Sequence, residues 1–114
     1  MKQNVDYGYE VQKIYLEMML ADAGTFVGCQ SIFDAKLFDR RLQNAAEFLT
    51  NYVTENNVLP TIDIINATTG SDFKAQTDLR EEHFDWLLTD FETFTRHKGL
   101  ERAILESADL LSIS

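Results

Sequence analysis

Apolar residues recur along this chain at helical rather than strand spacing. From Tyr9 to Asp22, Val11, Ile14, Tyr15 and Met18 follow the i, i+3, i+4, i+7 pattern. Leu16, Met19 and Leu20 widen that stripe, so this first helix is expected to be buried on most sides. Gly24 follows closely and suits a C-terminal stop. The stretch AGTFVGCQSIFDA then mixes Phe26, Val27, Ile32 and Phe33 with Gly24 and Gly28. It reads as a short helix or turn that drops its aromatics into the core. A second helix is expected from Asp34, a plausible N-cap, to about Glu55. Phe38, Leu42, Ala45, Leu49, Tyr52 and Val53 form its apolar stripe. Arg40, Arg41, Asn44, Glu47 and Asn51 fall on its other faces.

Pro60, the only proline, interrupts this pattern. A residue before proline is disfavoured in helical geometry, so Leu59 should be extended. Thr61 can cap a short helix through Ile62, Ile64, Ile65 and Ala67, up to Gly70. Its isoleucines would also suit a strand, but the chain offers that strand no partner. Gly70 to Arg80 is polar apart from Phe73 and Leu79 and reads as a linker. From Glu81 onward one helical pattern continues to the end. Phe84, Leu87, Leu88, Phe91 and Phe94 make an aromatic-rich stripe, extended by Leu100, Ala103, Ile104, Ala108 and Leu111. Gly99 lies mid-pattern, without the proline or turn cluster that would break the helix. The expected fold is all-α: a tail at 1–8, a small helical bundle at 9–70, a linker at 71–80, and one long C-terminal helix at 81–114.

Length makes that last helix informative. Some 30 residues at 1.5 Å each span roughly 45 Å, more than a globule of about 80 residues, with a radius of gyration near 12 Å, can cover. Part of it is expected to pack on another chain or on a further segment. The expected protein interface is Phe84, Trp86, Phe91, Phe94, Leu100, Ile104 and Leu111, with self-association as its first use.

Composition narrows the function. The chain has 114 residues, 45% of them hydrophobic, which suffices for one core. Its 19 acidic and 10 basic residues give a net charge of −9, unsuited to binding phosphate backbones, so weak or no nucleic-acid binding is expected. Cys29 is the only cysteine, so no intrachain disulfide can form; a small buried apolar role is expected for it. The N-terminus lacks an apolar signal-peptide core, and Ile14 to Ala21 is too short to span a membrane, so a cytoplasmic protein is expected. Without a secretory signal, the Asn66-Ala67-Thr68 sequon is a chance match.

Catalytic signatures are missing. The sequence holds no G-x-x-x-x-G-K-[ST] loop and no G-x-G-x-x-G; Gly70-Ser71-Asp72 before Lys74 has the wrong spacing. H-E-x-x-H is absent too. His83 and His97 stand fourteen residues apart on one predicted helix, too far to share a metal. Asp85, Asp90 and Glu92 read as a solvated face. No catalytic residue, metal or cofactor is expected.

Three segments together resemble the N-terminal domain of DnaB-type replicative DNA helicases, most closely the T-even phage branch. They are EVQKIYLEMMLADAGTFVGCQSIFDAKLFDRRLQNAAEFLTNYVTEN, VLPTIDII and FDWLLTDFETFTRHKGLERAILESADLLSI. The likeness covers roughly residues 9 to 113. It consists of apolar spacing rather than catalytic motifs. Trp86, Phe94, Ala103 and Ile104 stand at matching places of the family's long helix, the first arm of a helical hairpin. The resemblance implies a collar domain of a ring-shaped hexamer that docks primase or a helicase loader and binds no ATP itself. The hairpin's second arm and the RecA-like motor would lie beyond Ser114, so the resemblance also implies a fragment. The alternative is a free-standing helical adaptor, such as a helicase loader or inhibitor.

Overall fold

Asp22 ends one helix and starts the next. Its backbone is extended (φ −152°, ψ 118°), and its carboxylate accepts from both the backbone N–H and the hydroxyl of Thr25, each at 2.9 Å. A short acceptor that satisfies the first free N–H groups is what an N-cap requires. Helix α1 (Tyr9–Ala21) therefore stops by handing its chain to α2 (Ala23–Cys29). Gly24 lies inside α2 and is not the expected stop.

The computed structural model describes residues 8–77 and 79–113, with side chains through 106. All regular structure among the described residues is helical: α1 and α2, single 3-10 turns at Gln30–Ile32 and Ala35–Leu37, then α3 (Arg40–Asn56), α4 (Ile62–Thr69) and α5 (Glu81–Ile113). The expected tail at 1–8 lies almost wholly outside the described residues.

The second long helix starts later than its periodicity suggests. Asp34 does accept from the Lys36 N–H at 3.0 Å, but it caps only one 3-10 turn. Phe38 is extended, and Asp39 opens α3 by accepting from the Arg41 N–H at 2.9 Å. The break turns Phe38 into the core, where it is 3% exposed. Gln12 of α1 holds the junction by accepting from the Asp39 N–H at 2.6 Å. Asn57 then ends α3 in left-handed geometry (φ 59°), which asparagine tolerates better than most residues.

The short helix after Pro60 forms as expected. Thr61 accepts from the Ile64 N–H at 3.1 Å. At the other end Gly70 adopts φ 69° and donates to the Asn66 carbonyl at 2.9 Å. That φ is what selects glycine there, since its missing Cβ would meet nothing within 4 Å.

The segment read as a linker is tied down. The Asn66 side chain both donates to the Phe73 carbonyl (3.0 Å) and accepts from its N–H (2.9 Å). Glu17 of α1 accepts from the Lys74 N–H and the Gln76 amide, both at 2.8 Å. Phe73 is thereby held in the core, 3% exposed. Gln12 and Glu17 are themselves buried. Their burial is tolerated because each satisfies a backbone N–H of a distant segment. They occupy part of the inward surface of α1, while Ile14, expected inside, is 41% exposed.

The core joins α1, α2, α3 and α4 to the first half of α5. Tyr15, Leu16, Met19, Phe26, Leu42, Leu49, Ile65, Leu87, Phe91 and Phe94 are almost fully buried. Tyr15 meets Phe91 edge-on (ring centroids 5.6 Å apart, 81° between planes), and Phe38 meets Phe94 at 5.5 Å and 60°. Such tilted aromatic pairs add roughly 0.5–1.5 kcal/mol beyond the area they bury. The packed unit thus does not end at Gly70, as the sequence suggested, but takes in α5 to about Lys98.

Candidate protein interface

Alternating steps of three and four residues carry one seam down α5: Phe84, Leu87, Phe91, Phe94, Lys98, Glu101, Leu105. On a helix such a seam faces one neighbour. Leu87, Phe91 and Phe94 are 0% exposed. At Lys98 and Glu101 the seam turns polar, and there the helix leaves the bundle. Every residue from Leu100 to Glu106 is exposed. Leu100, Ile104 and Leu105 stand 61%, 59% and 63% in solvent. At about 100° per residue, Leu100 and Ile104 lie about a third of a turn away from the core-facing seam. Leu105 continues the seam itself, so past the end of the bundle apolar side chains stand on more than one side of the helix.

Local charges support this outer half where the core does not. Arg96 pairs with Glu92 at 3.2 Å, Lys98 with Glu101 at 3.5 Å, and Arg102 with Glu106 at 3.6 Å. Arg102 also reaches Asp34 at 3.9 Å. Each exposed pair contributes only a few tenths of a kcal/mol, but at helical spacing they favour the same conformation. Gly99 continues the helix, and a Cβ there would meet nothing within 4 Å.

The expected interface therefore divides. Phe91 and Phe94 belong to the core and cannot touch a partner, because the bundle itself covers their stripe. Phe84 is half-buried against the same core. Leu100 and Ile104 are on the projecting helix as expected. Leu111 lies outside the residues whose side chains are described. Leu105 was missed because it continues the inward seam, which looks satisfied until one sees where the bundle stops.

Trp86 is 45% exposed and belongs to a different place. With Ile14, Met18, Gln76, Thr77, Leu79 and His83 it lines a cleft of about 320 Å3 between α1 and the start of α5. Its ring lies 5.9 Å from that of Tyr15. His83 helps to start α5: its Nδ1 accepts from the Arg80 N–H at 2.9 Å, while the His83 backbone N–H donates to the Arg80 carbonyl at 2.9 Å. Asp90, read as part of a solvated face, is half-buried and accepts the Tyr15 hydroxyl.

The groups with reactive potential do not converge. Cys29 is 1% exposed, and burial pushes its thiol up to about 11, so it stays protonated near neutral pH. No group of three or more His, Cys, Asp or Glu side chains is placed to hold a metal among the described residues. No helix among them is long and apolar enough to cross a membrane.

Neither family models, curated proteins nor solved structures match this chain.

Proposed function

We propose that this chain is an assembly domain, the N-terminal collar of a T-even-type replicative DNA helicase, acting in ring assembly and in docking primase or a loader. The observation that supports this reading most is the second half of α5. It leaves the bundle at Lys98 and presents Leu100, Ile104 and Leu105 to solvent, as the resemblance implies for a first hairpin arm. A helix with its own bundle already filled has one economical use for such side chains, which is to cover another helix.

Magnitudes favour a multi-subunit assembly over an isolated pair. Fully covering an exposed leucine or isoleucine gains roughly 1.5–3 kcal/mol. Association costs an estimated ~4–15 kcal/mol in lost freedom. Three such side chains on each partner give a weak two-chain contact. Ring closure, in which each subunit is held on two sides, or a second hairpin arm would supply the remainder. The chain's role is mechanical: it positions neighbours and partners, and nucleotide hydrolysis belongs to a motor elsewhere in the assembly. With a net charge of −9, it leaves DNA contacts to that motor as well.

The test is the reading frame downstream of Ser114. A RecA-like segment carrying G-x-x-x-x-G-K-[ST] in the same frame is the expected finding. A stop codon directly after Ser114 overturns the collar reading in favour of a free-standing adaptor.

A further inference from the structure

The cleft beside Trp86 has a rigid apolar floor. The indole and Ile14 are 45% and 41% exposed, with Met18 and Leu79 between α1 and α5 completing the walls. Tyr15 backs the indole at 5.9 Å and is itself anchored through its hydroxyl to Asp90. A large aromatic held in place at the surface loses little freedom when covered, which is the usual property of a binding anchor.

The rim of this floor is acidic. Glu10, exposed, stands one turn before Ile14 on α1. Glu82, exposed, and Asp90, half-buried, stand one turn to either side of Trp86 on α5. Glu17 lies behind Gln76, which donates to it. The nearby cations are Lys13, Lys74 and Arg80. Of these, Lys13 pairs with Asp72 at 2.9 Å and Arg80 faces Glu82 at 3.9 Å. Arg41, which lies near Glu10, is itself held by Asp39, so carboxylates still outnumber cations around the slot, and an apolar slot so flanked complements an apolar side chain with positive charge beside it.

We propose that this cleft docks a basic amphipathic helix of a partner protein, which seats an apolar side chain on Trp86 and Ile14 and sets lysine or arginine beside Glu10 and Glu82. The mode is a helix laid in a groove between two helices. It is independent of the collar reading. Trp86 and Leu100 are fourteen residues apart, about 21 Å along the helix axis, so either surface can fail while the other stands.

Trp86 is the only tryptophan in the chain, so its emission reports directly on the cleft. The probe is a short synthetic amphipathic helix of leucine and lysine, titrated into the full chain, beside the same peptide with glutamate for lysine. The lysine peptide should give a saturable blue shift at micromolar concentration, weakened several-fold by raised salt. Ile14→Asp should weaken binding at least tenfold although it makes the rim more acidic, which separates apolar seating from charge attraction alone. Glu10→Lys with Glu82→Lys, both at exposed positions, should weaken it about as much. Val58→Asp, at an exposed apolar site elsewhere (58% exposed), should leave it unchanged. A response that does not saturate, an equal response to the glutamate peptide, or full binding by both the Ile14 and the charge-reversed variants overturns the proposal.

Discussion

The two halves of α5 are continuous in backbone and opposite in circumstance. From Phe84 to Thr95 the helix is a wall of the core, with Leu87, Phe91 and Phe94 fully buried. From Leu100 to Glu106 it touches little of its own chain and keeps comparable side chains in water. Both halves carry leucine, and both keep helical spacing. The difference lies in whether the bundle covers the apolar side chains, and Lys98 and Glu101 mark where that cover ends. An apolar stripe therefore records that a face is meant to be covered, without recording by what.

That contrast is easiest to break at its packed end. Phe91→Ala should destabilise the fold by about 3–5 kcal/mol, and Leu49→Ala on α3 by about 2–5 kcal/mol, because both empty sites in a closed core. Urea melts measure both. A loss under about 0.5 kcal/mol for either, the usual range at the surface, would mean that the core is not built as described. Next in size is Asn66→Ala. It frees the Phe73 N–H and carbonyl, so the loss should be about 1–3 kcal/mol, and the 71–77 backbone should lose hydrogen-exchange protection with it. Unchanged exchange there would return this segment to the status of a linker.

Asp39→Asn should have a smaller effect with a distinct pH signature. The side-chain hydrogen bonds from Arg41 (both at 3.0 Å), with its backbone N–H, hold the Asp39 carboxyl at about 2, below the ordinary 3.8. A depressed folded value means that the stabilisation is complete above about pH 4 and fades as pH falls through about 2. The asparagine keeps the cap and loses the ion pair, which at an exposed site contributes at most about 1 kcal/mol. The gap between the two proteins should therefore close between pH 4 and pH 2. A gap that widens on acidification contradicts the sign. The smallest effect belongs to the projecting half: Ile104→Ala in dilute protein should shift stability by less than about 0.5 kcal/mol.

Local chemistry was legible in the sequence; reach was not. Pro60, Thr61 and Gly70 announced α4 because caps and left-handed stops act within four residues of themselves. Leu49 was placed correctly by the regularity of its stripe. The start of α3 was misplaced because Asp34 and Asp39 are both competent caps and the apolar spacing runs through Phe38 without a gap. Asn66 carried a sequon, but its work is to bridge to Phe73, and no local pattern reveals a partner seven residues away. Ile14 looked inward because Gln12 and Glu17 look polar, and only their distant backbone partners explain why they are buried instead. For the interface, helix length correctly pointed to uncovered apolar surface on α5. The error lay in assigning Phe91 and Phe94 to it. Replacing Phe94, 0% exposed, by a charge would unfold the bundle rather than report on association.

Sedimentation equilibrium on the wild-type chain and on the double variant Leu100→Asp, Ile104→Asp tests the central claim most directly. Both positions are exposed, so the variant should keep the wild-type helix content and urea midpoint. The wild type should show reversible association at high micromolar concentration, and the variant should stay monomeric throughout. A wild type that remains monomeric over the same range, or a variant that associates equally well, would contradict the assignment of this face to assembly.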